Sequence, residues 1–315
     1  MIYMILTVTL NPTIDISYYI PNLVPGNVIR VQEKAEHAGG KGINVAKVAK
    51  LLKQNVIATG FLGGSNGDFI NSSLIKAGII SSFVMVEEQT RTCISVNDMS
   101  NGKQTELLEA GSVATEEMQD RFVDHYCELL EDCEYVVLAG SVPPGIDTSF
   151  YPKLIKLAKS ANKFVVLDTS DKLLKASIDL CPEDINIIKP NRDELSVCLG
   201  RTIKTLEETI SAAKEIQRRG IQTVIVSLGK DGAIFVTEDE VYRGTTPDIK
   251  IVNTVGCGDS LVAGYVTGII RKYSFEDRIK LAMAVSTANA LSREIGSFKK
   301  SDLDDLLNKV TAIKL

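Results

Sequence analysis

Strand-length apolar runs at Ile2–Leu10, Val56–Phe61, Ile79–Val86, Tyr135–Ala139, Phe164–Leu167, Ile185–Ile188 and Thr223–Val226 alternate with segments of helical spacing. Those helices cover Ile43–Leu52, Glu116–Leu130, Tyr151–Ser160 and Leu206–Arg219. Near-continuous apolar strands are buried on both faces, and strand followed by helix builds right-handed βαβ units. The pattern therefore predicts an α/β fold with a doubly wound, mostly parallel sheet. Two regions break the rhythm. Ile14–Glu36 and Thr92–Glu109, the latter around a turn-like SNGK, alternate apolar and polar residues with no helix between. They predict a small antiparallel sheet drawn from segments at about 14–36 and 92–109. It would lie across one edge of the main sheet as a lid on a single domain, 1–315.

Composition narrows the class. With 315 residues, 44% of them hydrophobic, the chain can bury a substantial core, and its net charge of −5 argues against nucleic acid as a partner. The six cysteines show no CxxC spacing and only His37 and His125 could join them on a metal, which suits reduced thiols in the cytoplasm. The opening MIYMILTVTLNP is too short to span a bilayer and lacks a basic flank, so it is expected to be a buried strand with no membrane role.

Candidate chemistry lies in the glycine turns. In NTVGCGDSLVAGYVTGII, a strand-like stretch Ile249–Val252 precedes Gly256, Cys257 and Gly258. Beyond them Leu261, Val262, Tyr265, Val266, Ile269 and Ile270 recur at helical spacing. Such a turn aims backbone N–H groups and a helix N-terminus at one point, which makes an anion site. Asp259 sits at its mouth, where it acts on a substrate or, with Ser260, caps the helix. HAGGKGINVAKVAKLL places Gly39, Gly40 and Gly42 around Lys41 before another helix, fit for a polar or anionic ligand or for a purely structural turn. FLGGSNGDF is a third glycine turn between strand and helix. IKPNRDEL sets Asn191 three residues before Glu194, able either to hold the water shell of Mg²⁺ or to form a capping pair. VSLGKDGA ends a strand in a glycine turn suited to a ligand's phosphates. No GxxxxGK[ST] is present, which excludes a P-loop. A dinucleotide fingerprint is weakened because Val45 stands at the third glycine's place and ATGFLGG offers no ribose-binding acid.

Taken in order, TLNPTID, GGKGINVA, FLGGSNGD, TRT, AGSVPPG, IKPNRDEL, VSLGKDGA and NTVGCGDS resemble the PfkB, or ribokinase-like, family of sugar kinases over essentially the whole chain. TLNPTIDISY, TRTC and QTELLEAG look like the branch that contains tagatose-6-phosphate kinase and 1-phosphofructokinase. The resemblance implies a ribokinase-like fold with a β-sheet lid, ATP and Mg²⁺ as cofactors, and phosphorylation of a ketohexose phosphate to the 1,6-bisphosphate. Tagatose 6-phosphate is favoured, with fructose 1-phosphate as the alternative.

Carried over by position, it also implies roles for individual residues. Asp15, Gly40, Lys41, Asn44, Arg91 and Ser141 fall on sugar-phosphate positions. Lys189, Asn191, Glu194, Ser227, Gly229 and Asn289 fall on nucleotide positions, with Glu194 holding Mg²⁺ through water. Gly256, Cys257 and Gly258 form the anion hole, and Asp259 is the base. Cys257 departs from the small residues usual there, and its thiol is expected to sensitise the site to oxidation. A helix N-terminus is expected to lower the pKa of Asp259. Arg91 offers a bidentate fork for the substrate's phosphate, or pairs at the surface with Glu87 or Glu88. The exposed lid invites a homodimer across its edges. A sugar-phosphate sensor without catalysis is the remaining class, though such a protein would be free to lose Asp259.

Overall fold

The computed structural model describes residues 3–315, so Ile2 of the first expected strand lies outside the described residues. An eleven-stranded sheet runs through the molecule. Its parallel part is ordered Thr223–Ser227, Ile187–Ile188, Phe164–Asp168, Tyr135–Ala139, Met4–Thr9, Asn55–Gly63 and Ile80–Ser81. An antiparallel extension of Ala233–Val236, Val241–Thr245 and Thr311–Lys314 completes one end.

Period-two alternation explains the two cores. Leu6, Val136, Leu138, Val165 and Leu167 pack on one face beneath helices that include Glu116–Glu131, Phe150–Ser160 and Leu206–Gln217. Ile5, Val137, Ala139 and Val166 pack on the other, beneath helices Lys41–Leu51, Gly64–Lys76, Cys257–Ile270, Phe275–Ala290 and Lys300–Leu307. Sequence order reverses at Met4–Thr9, which has Asn55–Gly63 on one side and Tyr135–Ala139 on the other. A crevice opens outside strand C-termini at such a switch point, and the strand-end residues Thr9, Gly140 and Lys189 all line one.

The second sheet is ordered Glu33–Gly39, Thr13–Ile20, Arg91–Asp98 and Lys103–Leu108. Its outer pairings are antiparallel as expected, but the central one, Thr13–Ile20 with Arg91–Asp98, is parallel. The two segments enter the sheet from the same end, because Thr13 follows the Met4–Thr9 strand and Arg91 follows Val84–Val86, and both of these run parallel to Asn55–Gly63.

Two expected strands are corrected. Ile79–Val86 is split into Ile80–Ser81 and Val84–Val86, which pair with successive parts of Asn55–Gly63. Ile249–Val252 forms no strand. Ile251 and Val252 are about half exposed, and the backbone N–H of Val252 is anchored instead to the carbonyl of Ala290.

Candidate active site

The first helix of the site starts because glycine permits what no other residue would. Gly40 has φ +112°, outside the range of L side chains, and a Cβ on Gly39 would overlap the Asp15 carboxylate. That close approach seats Asp15, on strand Thr13–Ile20, beside the N-terminus of helix Lys41–Leu51. Gly256, at φ +79°, plays the same part for helix Cys257–Ile270. No side chain caps that helix, which removes the capping role for Asp259 and Ser260. Instead the Asn44 Nδ2 donates to Asp259 Oδ2 at 2.8 Å, tying the two helix starts together.

Asp259 is buried, and its carboxyl is pushed up to about 6. Burial is the main cause and the negative charge of Asp168 adds to it, while Lys41, Asn44 and Lys189 pull the other way. This reverses the expected depression: the helix N-terminus is outweighed by desolvation. Asp168 was not anticipated as a site residue. It ends strand Phe164–Asp168, is fully buried, and accepts from Lys41 Nζ at 3.0 Å with Lys189 Nζ at 3.3 Å on the same oxygen. Burial alone would raise it, but the two ammonium groups hold its carboxyl below the ordinary value. Lys41 in turn is held charged: burial opposes this, and Asp168 and Asp259 outweigh it.

Two cavities meet at the glycine turn. One, of about 450 Å³, is lined by Asp15, Gly40, Lys41, Asn44, Arg91 and Ser141, the six residues expected around the sugar phosphate. Asp259, Gly256, Gly258 and Lys189 close its floor. Asn11 and Glu106 also line it and were not expected. The other, of about 600 Å³, is lined by Ser227 and Gly229, by Ile249 and Ile251 of the loop where a strand was expected, and by Cys257 and Gly258. Gly258 belongs to both walls. A side chain there would stand 3.1 Å from Lys189 Nζ, so the ammonium lies over the turn.

Within the turn the donors differ from expectation. The Cys257 N–H is directed to the Thr254 carbonyl at 3.3 Å, while those of Gly258 and Asp259 have no partner among the described residues. The Cys257 thiol is pushed up by burial, which works against the expected sensitivity to oxidation.

Asn289 also departs from its expected place. Its Nδ2 donates to the Val255 carbonyl and its Oδ1 accepts from the Gly296 N–H, so it braces the turn from behind rather than lining the second cavity. Asn191 and Glu194 form a reciprocal capping box, Glu194 Oε2 accepting from Asn191 N at 2.7 Å and Asn191 Oδ1 accepting from Glu194 N at 2.8 Å. That commits Asn191 to the helix start and leaves Glu194 one free oxygen. Burial pushes the Glu194 carboxyl up, partly offset by Asn191, Lys41 and Lys189.

Arg91 makes no pair with Glu87 or Glu88. It donates from Nε and Nη2 to the Asn11 carbonyl and from Nη1 to the Glu109 carbonyl, which fixes the guanidinium at the rim and leaves two of its five N–H groups over.

The whole chain has known counterparts. A model of the pfkB family carbohydrate kinases matches residues 8–301. The chain belongs to the pfkB family. It is 34% identical over 313 residues to a tagatose-6-phosphate kinase of Staphylococcus epidermidis, covering 99% of this chain and 100% of that one. Among solved structures, phosphofructokinase-2 from Escherichia coli in complex with fructose-6-phosphate is 26% identical at a TM-score of 0.88, covering 98% and 99% of the two chains. A Thermotoga maritima protein described as a possible 1-phosphofructokinase is 28% identical at a TM-score of 0.90, covering 99% and 100%. The protein is thus a ribokinase-like carbohydrate kinase, a phosphotransferase.

Proposed function

We propose that this kinase transfers the γ-phosphoryl group of ATP to the free primary hydroxyl of a ketohexose phosphate, tagatose 6-phosphate first, giving the 1,6-bisphosphate. The observation that carries this is the buried Asp259, which lines the cavity able to take a sugar phosphate and follows Gly258, the residue whose other side lines the cavity able to take a nucleotide. The full-length likeness to a protein named tagatose-6-phosphate kinase supports the choice of substrate. Fructose 1-phosphate is the second reading, favoured by the Thermotoga structure and by the near identity of the two furanoses.

In this reading the small sheet is a lid. Asp15 accepts hydroxyl groups of the sugar, and Arg91 donates its remaining N–H groups to the sugar's phosphate. The acceptor hydroxyl lies against Asp259, which takes its proton late in an in-line displacement. A carboxyl at about 6 is deprotonated at neutral pH yet more basic than an ordinary aspartate, which suits that task. The unpartnered N–H groups of Gly258 and Asp259, with Lys41 and Lys189, stabilise charge spreading over the transferred group.

For Mg²⁺ the residues fit. Among the described residues Asp168 Oδ2 is a buried carboxylate oxygen with no hydrogen-bond partner, and Glu194 has one oxygen outside its capping box. An ion held there through water would neutralise the β and γ oxygens of ATP. The exposed strand Lys103–Leu108 leaves a free sheet edge on which two copies can pair. No helix among the described residues is long and apolar enough to cross a membrane. A cytoplasmic location accords with the proposed substrates. Comparing kcat/KM for tagatose 6-phosphate, fructose 1-phosphate and fructose 6-phosphate, with ADP release as readout, tests the assignment. A higher value for unphosphorylated sugars than for all three would overturn it.

A further inference from the structure

A third cavity, of about 620 Å³, lies away from both site cavities, at the opposite ends of the helices that carry them. Helix Lys41–Leu51 starts at the site and ends in Leu51 and Leu52 on this cavity's wall. Helix Cys257–Ile270 starts with the catalytic turn and is followed by Arg271 on the same wall. Fourteen residues of helix put about 20 Å between the two places. The C-terminal helix Lys300–Leu307 supplies the facing side. Lys300, Leu303, Asp304 and Leu307 all line the space, and their spacing of three, four and seven residues means that one whole face of that helix looks into it.

The lining has two parts. Leu51, Tyr273 and Leu307 are large apolar side chains left more than a third exposed, and with Leu281 and Phe298 they give the cavity an apolar body. Around them stand Lys53, Arg271, Lys280 and Lys300, against the carboxylates of Asp277 and Asp304. Asp277 already accepts from the Ser274 hydroxyl, and Lys280 is paired with Glu276. Arg271 donates to the Leu52 carbonyl at 2.8 Å, joining the two helix ends. Lys53 and Lys300 have neither a hydrogen bond nor an ion pair from their ammonium groups among the described residues, and Lys53 is held at φ +64° by the turn that presents it. Four cations against two acids, over an apolar floor, select by charge and by shape.

We propose that this cavity is a second ligand site for a small anionic molecule with an apolar or aromatic body, its charge placed between Lys53 and Lys300. The volume is that of a drug-sized ligand, which makes a small molecule the occupant rather than a protein face. The inference does not depend on which sugar phosphate the kinase uses.

The test is a fluorescence titration of the full chain with 8-anilinonaphthalene-1-sulfonate, an aromatic anion, with both site cavities filled by saturating ATP and tagatose 6-phosphate. One saturable site should persist. Charge reversal in Lys53→Glu/Lys300→Glu should weaken it by about tenfold with kinase rate and Tm unchanged, because two exposed attractions become repulsions. The uncharged analogue N-phenyl-1-naphthylamine should be indifferent to that change. Loss of the signal on adding ATP and sugar phosphate, or equal affinity of the double variant, overturns the proposal. A crystal of the wild type soaked with the sulfonate gives a check free of any variant: density between Leu307 and Tyr273 supports the site, and density confined to the nucleotide cavity refutes it.

Discussion

Replacing Asp259 with Asn should make the folded protein more stable while it removes turnover. Burial and the charge of Asp168 hold this carboxyl at about 6, above its ordinary 3.8. A group raised on folding favours the folded state while protonated, and that advantage is lost as the pH climbs through the folded value. Ionised Asp259 therefore costs stability at neutral pH. A shift of about two units corresponds to about 3 kcal/mol, which is an upper figure because Asp259 and Asp168 titrate together. Asn keeps an acceptor for the Asn44 Nδ2 and removes the buried charge.

The expected gain is about 1 to 3 kcal/mol at pH 8, or about 2 to 5 °C in Tm for a chain of this size. Calorimetry of both proteins between pH 4.5 and 8.5 measures it, and the gap should narrow toward the acid end as the wild-type carboxyl takes up its proton. Asp168→Asn supplies the opposite sign. That carboxyl is held down by two lysines, so it contributes stability above its unfolded value and loses it as the pH falls. Neutralising it strands buried Lys189 and should cost about 2 to 4 kcal/mol. An Asp259→Asn protein that melts below the wild type at pH 8, or a gap that ignores pH, would refute this account of the site's electrostatics.

Arg91→Ala should lower kcat/KM for a ketohexose phosphate by about 2 to 5 kcal/mol in transition-state terms, and leave any slow rate on unphosphorylated tagatose nearly unchanged. A constant ratio between the two substrates would release Arg91 from the phosphate role. Asp15, whose carboxyl is raised to about 7 chiefly by burial, should give kcat/KM a rise across that pH as it becomes an acceptor for the sugar. The rise should vanish in Asp15→Asn, and its persistence there would assign it to another group. Glu194→Gln keeps the capping acceptor and removes the charge, so it should raise the Mg²⁺ needed for half-maximal rate with little change in Tm. An unchanged Mg²⁺ titration would leave Glu194 a structural residue.

Much of the fold was legible because its strands carry strong period-two and apolar signals. Tyr135–Ala139 was placed to the residue, and Met4–Thr9, Phe164–Asp168 and Thr223–Ser227 to within two residues at each end. The departures, and the choice between readings left open, have separate physical causes. Ile249 and Ile251 look like strand residues because they are apolar, yet they face a cavity that a ligand would fill. Of the two readings that the Asn191–Glu194 spacing left open, the capping box is formed. Asn289 is polar and buried on a helix, and spacing alone does not say that it turns back to brace the glycine loop.

Asp168 does carry a signal in the sequence: it is a single acid ending the apolar run FVVLD, at the C-terminal edge where strands of this class present their ligands. The pKa of Asp259 lay beyond the sequence altogether, since it depends on how deeply the turn is buried and on a carboxylate 91 positions away in the chain.

The most direct measurement is steady-state turnover of Asp259→Asn with ATP and tagatose 6-phosphate, alongside calorimetric binding of each substrate. A base in the sugar-phosphate cavity, next to the turn that also walls the nucleotide cavity, predicts kcat lower by about 10²-fold to 10⁴-fold with both dissociation constants within about threefold of the wild type. Near-normal turnover in that variant would contradict the assignment of Asp259 as the base.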